Sequence, residues 1–238
     1  GLADITADPE TGEPLVQILD PACGTGTFLA HVINQIEETV RDKGPRHFGC
    51  ADWSEYVAEH LLPRLNGFEL MMAPYAVAHM KLGLKLRQTG YDFRSDERLR
   101  VFLTNTLEEP VEAHETLALT GFLSRESAAA AQVKSQTPIT VTTGNPPYAA
   151  VSSNMQPWID GLLKGQLPNG TVVSSYYHVD GQPLGEKKVW LQDDYVKFLR
   201  FAQWRIDSTG QGIVAYVTNH GYLENPTFRG MRSSLLNS

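Results

Sequence analysis

The sequence is short of several things that would each have set its class. Cysteine is scarce: Cys23 and Cys50 are the two in 238 residues. That is too few for a disulfide framework or a four-thiolate zinc site, and a reducing, cytoplasmic setting is the expectation. No apolar run reaches the roughly 18 residues of a membrane-spanning helix, and the acidic, polar start "GLADITADPE" has no leader pattern, so no membrane partner is expected. Positive charge is in deficit, with 20 Lys and Arg against 27 Asp and Glu and a formal net charge of −7. An autonomous nucleic-acid-binding module carries a basic face, so that class is disfavoured. A catalytic domain gripping nucleic acid through other parts of a longer protein is still allowed. His31, His47, His60, His79, His114 and His178 fall at no metal-ligand spacing, and no metal is expected.

What is present is an ordinary globular composition, 42% apolar and 20% charged, sufficient for one large domain over 1–238. Short apolar runs alternate with helical patterns along it. "LVQILD" (15–20) reads as a buried strand, and "TFLAHVINQIEETV" (27–40) as a helix stopped by Gly44 and Pro45. "WSEYVAEHLLPRL" follows as a helix with Ser54 as N-cap, then the strand "NGFELM" (66–71) and a helix opened by Pro74. Further strands are read at 99–107, 138–144 and 212–219, and an amphipathic helix at 191–208. This rhythm predicts an α/β fold, a mostly parallel sheet with helices on both faces. Two long segments interrupt it. Residues 108–137 contain the Ala-rich "ESAAAAQVK", and 149–190 read as a long loop insertion on the substrate side.

The stretch "ILDPACGTGTF" is strand, carboxylate, glycine turn and helix start. Open α/β sheets bind ligands beyond the carboxyl ends of their strands, and Gly24 and Gly26 let the backbone bend and approach closely. A dinucleotide site would have a third glycine where Leu29 stands. Asp20 would repel a pyrophosphate but suits a ligand bearing an ammonium group. The second stretch, "NPPY" at 145–148, closes a β-branched run. Its two prolines stiffen the chain and remove N–H donors. That leaves the Asn145 side-chain carbonyl and the Pro146 carbonyl as acceptors, beside the Tyr148 ring.

Together these stretches resemble the two signature motifs of the amino-methyltransferases, D-P-x-C/A-G-x-G and N-P-P-Y. More narrowly, the chain resembles an N6-adenine DNA methyltransferase domain of a restriction–modification enzyme. "LNGFELMMAPYAVAHMKLGLKL", "WLQDDYVKFLRFAQW" and "GIVAYVTNHGYLENPTFRGMRSSLL" are similar to the single-polypeptide enzymes that fuse nuclease, helicase and methyltransferase.

The resemblance implies a Rossmann-like methyltransferase fold with S-adenosyl-L-methionine as cofactor. Asp20, Pro21, Ala22, Cys23, Gly24, Thr25, Gly26, Thr27 and Phe28 would form the cofactor turn, with Cys23 as a small packing residue. Glu69 and Leu70 would lie at the ribose, with Met71 and Met72 available to the adenine ring. The turn of Asn105, Thr106 and Leu107 would lie at the adenine edge. Asn105 stands where the family has an Asp, and an amide can both accept and donate there.

The resemblance implies Asn145, Pro146, Pro147 and Tyr148 as the catalytic set: the two acceptors would hold the N–H groups of a planar amine, and Tyr148 would stack on a base taken out of the duplex. Tyr176 and Tyr177 are either further stacking rings or the core of a compact loop. Asn219 and His220 are candidates for the substrate side, and Arg229 and Arg232 for phosphate contacts.

The family's upstream cofactor segment has no match before Leu15, and the strands and recognition domain expected after Ser238 are also lacking. The chain is therefore read as truncated at both ends. Double-stranded DNA would be met through a recognition domain outside it, with other domains of a longer parent as partners. Other readings stay open. One is methylation of another planar nitrogen, in RNA guanine, protein glutamine or cytosine N4. Another is a non-catalytic S-adenosylmethionine-binding module, and a third is an NAD-dependent oxidoreductase.

Overall fold

The computed structural model describes residues 1–94, 97–110, 121–149, 152–185 and 189–238, with the side chains of 121–124 left aside. The expected His114 and parts of the two long segments lie outside the described residues. The chain packs as two compact units. The first is Gly1–Asn105 with Pro110–Gly144, and the second is Thr106–Glu109 with Asn145–Ser238.

The first unit holds four parallel strands: β1 (Ile18–Asp20), β2 (Leu65–Glu69), β3 (Arg100–Leu103) and β4 (Val141–Gly144). Their order is β3-β2-β1-β4, and Ile18 of β1 faces Leu65 on one side and Val141 on the other. β1 and β2 are buried throughout, which is why they read as unbroken apolar runs rather than alternating ones. The order reverses at β1, since the chain moves outward through β2 and β3 and then returns to the opposite side as β4. Such a switch point opens a crevice at the carboxyl ends of the two strands that flank it.

Helices α1 (Thr27–Lys43), α3 (Met72–Gln88) and α4 (Gly121–Ser135) cover this sheet. Neighbouring residues of a strand point to opposite faces. Gly67 faces Leu29 of α1, whereas the Phe68 ring lies under the ammonium of Lys134 on α4, so the sheet is covered on both faces. α4 occupies a region read as a loop. Between β1 and β2 runs α2 (Trp53–Tyr56), continued by a π-helical turn Val57–Leu61 and a 3₁₀ turn Leu62–Arg64. Its cap is Asp52, whose carboxylate accepts from Glu55 N at 2.9 Å, and not Ser54. Among the described residues no helix is long and apolar enough to cross a membrane.

The second unit contains α5 (Pro157–Lys164), the two-residue strands β5 (His178–Val179) and β6 (Gln182–Pro183), α6 (Asp194–Thr209), β7 (Ile213–Tyr216) and α7 (Arg229–Leu236). The segment 149–190 is thus not a bare loop. It carries α5 and an antiparallel β5–β6 hairpin. α6 was read as amphipathic but is buried on almost every side from Asp194 to Gln203. Its fully buried Arg200 and Lys197 are satisfied by backbone carbonyls: Arg200 donates to Leu162 O and Ser174 O, and Lys197 to Asn154 O. The core of this unit includes Tyr176, Tyr195, Phe228 and Met231.

One glycine reports how closely this unit is packed. A Cβ on Gly230 would lie 2.2 Å from the Tyr176 carbonyl oxygen, and a backbone atom cannot step aside as a side chain can. Gly230→Ala is expected to destabilise the second unit by about 3 kcal/mol, the upper part of the overpacking range. Gly83 is the control. It sits inside α3 with nothing within 4 Å of an added Cβ, so Gly83→Ala should stabilise by roughly 0.5–1 kcal/mol. Urea melts followed by Trp fluorescence and circular dichroism would check both signs.

Candidate active site

The cofactor-turn residues are placed by hydrogen bonds that link the ends of β1, β2 and β3. Cys23 N donates to Phe68 O at 2.9 Å, and Gly24 N to Glu69 Oε2 at 2.9 Å. The other Glu69 oxygen accepts from Met71 N at 2.7 Å, and Thr104 N donates to Glu69 O at 2.8 Å. Each Glu69 oxygen thus holds one backbone N–H and keeps a second lone-pair direction. Gly24 and Gly26 adopt left-handed conformations, φ 55° and 75°, which make the turn between Asp20 and Thr27 possible. α1 starts at Thr27 as expected, with no side-chain cap on its first N–H groups. Pro21 and Cys23 are buried, Ala22 and Phe28 half-buried, and Thr25 and Thr27 exposed. Burial and the charges of Asp20 and Glu69 push the Cys23 thiol up, in keeping with a packing role.

Asp20 is the unusual member. It is 1% exposed, its Oδ1 accepts from Ala22 N at 3.1 Å, and its Oδ2 has no partner among the described residues. Burial, with the Glu69 charge adding to it and the Ala22 N–H opposing it, raises its carboxyl to about 7. Gly144, the last residue of β4, explains how the carboxylate fits. A Cβ there would lie 2.5 Å from Asp20 Oδ1. In the sequence the only signal of this glycine is its place before Asn145.

The third turn is held from α4. Lys134, almost wholly buried, donates to Thr104 Oγ1 at 3.1 Å and Asn105 O at 2.6 Å. Glu126 on the same helix accepts from Arg98 Nη1 at 2.7 Å and Leu103 N at 3.3 Å. The helix missed in the sequence thus fixes the turn that carries Asn105. Thr106 and Leu107 are buried. Leu70, Met71 and Met72 are more than half exposed, so the two methionines are not core.

Asn145 is exposed and Pro146 buried, Pro147 is exposed, and Tyr148 is 49% exposed. The Tyr148 hydroxyl donates to Val217 O at 2.9 Å and lies 3.1 Å from Asn145 Oδ1, and its ring meets Tyr195 edge-on at 6.0 Å. The Ala149 N–H donates to Asp193 Oδ1 at 3.0 Å, another partner missed in the sequence.

Other candidates are used differently from the expectation. Tyr176 and Tyr177 belong to the core of the second unit rather than to a stacking surface. Asn219 caps a 3₁₀ turn, accepting from Gly221 N at 2.7 Å, while His220 is exposed. Arg232 donates to Tyr222 O and Asn225 O at 2.7 and 2.9 Å, so it braces a turn. Arg229 is exposed on α7.

No protein-family model matches the chain, and no curated protein does. Solved structures do. The Type ISP restriction–modification enzyme LlaBIII bound to DNA is similar at 23% identity and TM-score 0.70, over 99% of this chain and 15% of that one. A nuclease-deletion mutant of the Type ISP enzyme LlaGI, in complex with a DNA substrate mimic, is similar at 22% and 0.66, over 95% and 18%. The cryo-EM structure of a DrdV–DNA complex is similar at 26% and 0.65, over 92% and 19%. The chain therefore spans less than a fifth of each of these proteins, and along nearly its whole length it has the fold of a segment found in them.

Proposed function

We propose that this chain is the catalytic part of a restriction–modification enzyme, transferring a methyl group from S-adenosylmethionine to the exocyclic N6 of adenine in DNA. The observation that carries the reading is the switch point. "DPACGTG" leaves β1 and "NPPY" follows β4, and these two strands are neighbours in register. Sequence motifs far apart in the chain thus emerge from the same end of adjacent strands, where such sheets bind ligands. The likeness to the DNA-bound enzymes supports the same reading.

The residues of the cofactor turn fit the proposed cofactor. Asp20 Oδ2 is a buried acceptor without a partner, suited to an ammonium group. The spare lone pairs of Glu69 suit ribose hydroxyls, and the Asn105 amide suits an adenine edge. When bound, S-adenosylmethionine supplies a methyl group on a sulfonium, which departs as a neutral thioether with the C–S electron pair.

The chain's own residues act on the acceptor nitrogen. An exocyclic amine conjugated to a ring has a delocalised lone pair and attacks poorly. Asn145 Oδ1 and the Pro146 carbonyl take its two N–H groups, which draws the nitrogen toward tetrahedral geometry and aims its lone pair. Pro146 and Pro147 hold those acceptors still. Tyr148 presents a half-exposed ring face for an unstacked base. Once the N–C bond has formed, the nitrogen is acidic enough to release its proton to water, so positioning and electrostatics carry the step.

The test is calorimetric titration of the full-length protein with S-adenosylmethionine, with NAD as control, followed by methylation of duplex DNA and identification of the modified nucleoside. Binding of S-adenosylmethionine alone and formation of N6-methyladenine are expected. N4-methylcytosine would change the substrate, and NAD binding would overturn the class.

A further inference from the structure

The N–H of Ala149, the residue after Tyr148, points at a carboxylate on another element. Asp193 stands just ahead of α6 and is buried, and its Oδ1 accepts from Ala149 N at 3.0 Å and from Tyr195 N at a longer 3.4 Å. The same first turn of α6 holds the chain further on. Asp194 Oδ1 accepts from Ser152 Oγ and from Asn154 Nδ2, the latter at 3.0 Å. Lys197 Nζ donates to Ser152 Oγ at 2.8 Å and to Asn154 O. Tyr195, between these residues, supplies the ring against which Tyr148 packs. Tyr148 is therefore held at three points: its hydroxyl on Val217 O, its ring edge on Tyr195, and the following peptide on Asp193.

We propose that Asp193 is a positioning residue for methyl transfer, fixing the peptide after Tyr148 so that the Tyr148 ring and the Asn145–Pro146 acceptors keep one pose. The inference rests on the function proposed above and adds to it a residue from another element. The physical argument is one of leverage. The acceptors sit on the irregular segment 145–149, where Asn145 is exposed and Pro146 buried, and proline stiffens φ but not the orientation of the peptide that follows Tyr148. A charge-assisted hydrogen bond at the far end of the turn removes that freedom, and a buried carboxylate is among the stronger acceptors available. An orientation error of about 1 Å costs on the order of 10²-fold in rate, so the effect is expected in kcat and not in cofactor affinity.

The test compares Asp193→Asn with Asp193→Ser in the full-length protein. Asn, Asp and Ser cap helices about equally, so both variants keep α6 capped. Only Asn keeps an acceptor at the reach of the carboxylate oxygen. Three quantities are read: the single-turnover rate on methylatable duplex DNA, the Kd for S-adenosylmethionine by calorimetry, and the melting temperature. Asp193→Ser should slow transfer by roughly 10²-fold with Kd and melting unchanged, and Asp193→Asn should restore most of the rate. Equal rates in the two variants, fast or slow, overturn the positioning role while the proposed function stands. A wild-type protein that binds S-adenosylmethionine but methylates no DNA overturns the function and this inference with it. Should Asp193→Ser melt below the assay temperature, Ala149→Pro decides, because it deletes the donor and leaves Asp193 on Tyr195. A slow rate at unchanged Kd then supports the role, and a wild-type rate overturns it.

Discussion

Asn145→Ala is expected to lower the rate of methyl transfer by roughly 10²–10³-fold, the loss typical of deleting one group aimed at a reacting centre, while the Kd for S-adenosylmethionine stays within about twofold. The structure says why the two readouts should separate. Asn145 is exposed, and its side chain has one neighbour of note, the Tyr148 hydroxyl at 3.1 Å. That hydroxyl keeps its other partner, Val217 O at 2.9 Å, when the amide is gone. The turn should hold its shape and the melting temperature should move little, as for most surface substitutions. On the proposed function, what would be lost is the acceptor for one of the two N–H groups of the substrate amine. Single-turnover rates on duplex DNA beside calorimetric Kd values give the comparison. A parallel loss of cofactor binding would remove Asn145 from the role given to it here. A rate within threefold of wild type would mean that the Pro146 carbonyl alone orients the amine.

How much of this was legible in the sequence depended on whether the determinant was local. β1, the glycine turn and α1 follow from a buried apolar run, two left-handed glycines and helical spacing, all within "ILDPACGTGTFLAHV". The strand that ends just before NPPY was legible for the same reason, and the structure places it as β4, Val141–Gly144. α4 was missed because "GFLSRESAAAAQVKS" has strong helix formers but hardly any apolar stripe. Its anchoring comes from Glu126 and Lys134, which reach across to Arg98 and to Thr104 and Asn105. α5 did carry signals, with Pro157 in the first turn, a left-handed Gly165 after the last residue and an Asp160–Lys164 pair at 2.6 Å. The Gly- and Ser-rich surroundings outweighed them. Two partners of the candidate residues, Gly144 against Asp20 in the first unit and Asp193 against Ala149 in the second, are residues that only the fold brings together. The polar face read onto α6 failed because Lys197 and Arg200 find carbonyl partners inside the second unit. A hydrophobic pattern cannot announce that a buried charge is satisfied.

Asp20→Asn is expected to stabilise the fold above neutral pH and to weaken the cofactor site, two effects with one cause. The carboxylate is buried with Oδ2 unpartnered, and its folded-state pKa is about 7 against 3.8 for the free side chain. Because the folded value is raised, the stability linked to this group is full below about pH 4. It is lost as pH rises through about 7, where the folded state must carry a desolvated charge. A shift of about 3 units is worth roughly 4 kcal/mol. At about 2–4 °C per kcal/mol, Asp20→Asn should therefore melt on the order of 10 °C above wild type at pH 8. The difference should shrink as pH falls and approach zero below about pH 4, the unfolded value. Binding should run the other way. A ligand ammonium needs the ionised carboxylate, so wild-type affinity for S-adenosylmethionine should rise between pH 5.5 and 7.5, by up to about tenfold per unit, and then level off. Titrations at pH 6 in two buffers of different ionisation enthalpy should register proton release on binding. The Asn variant should bind more weakly, with neither the pH dependence nor the proton release. A protein that melts alike with Asp or Asn at position 20 at pH 8 would mean that the carboxylate is not desolvated. Equal cofactor affinity in the two would remove Asp20 from the binding site. The orphaned oxygen is thus a liability in the empty protein, and a bound cation is what would offset it.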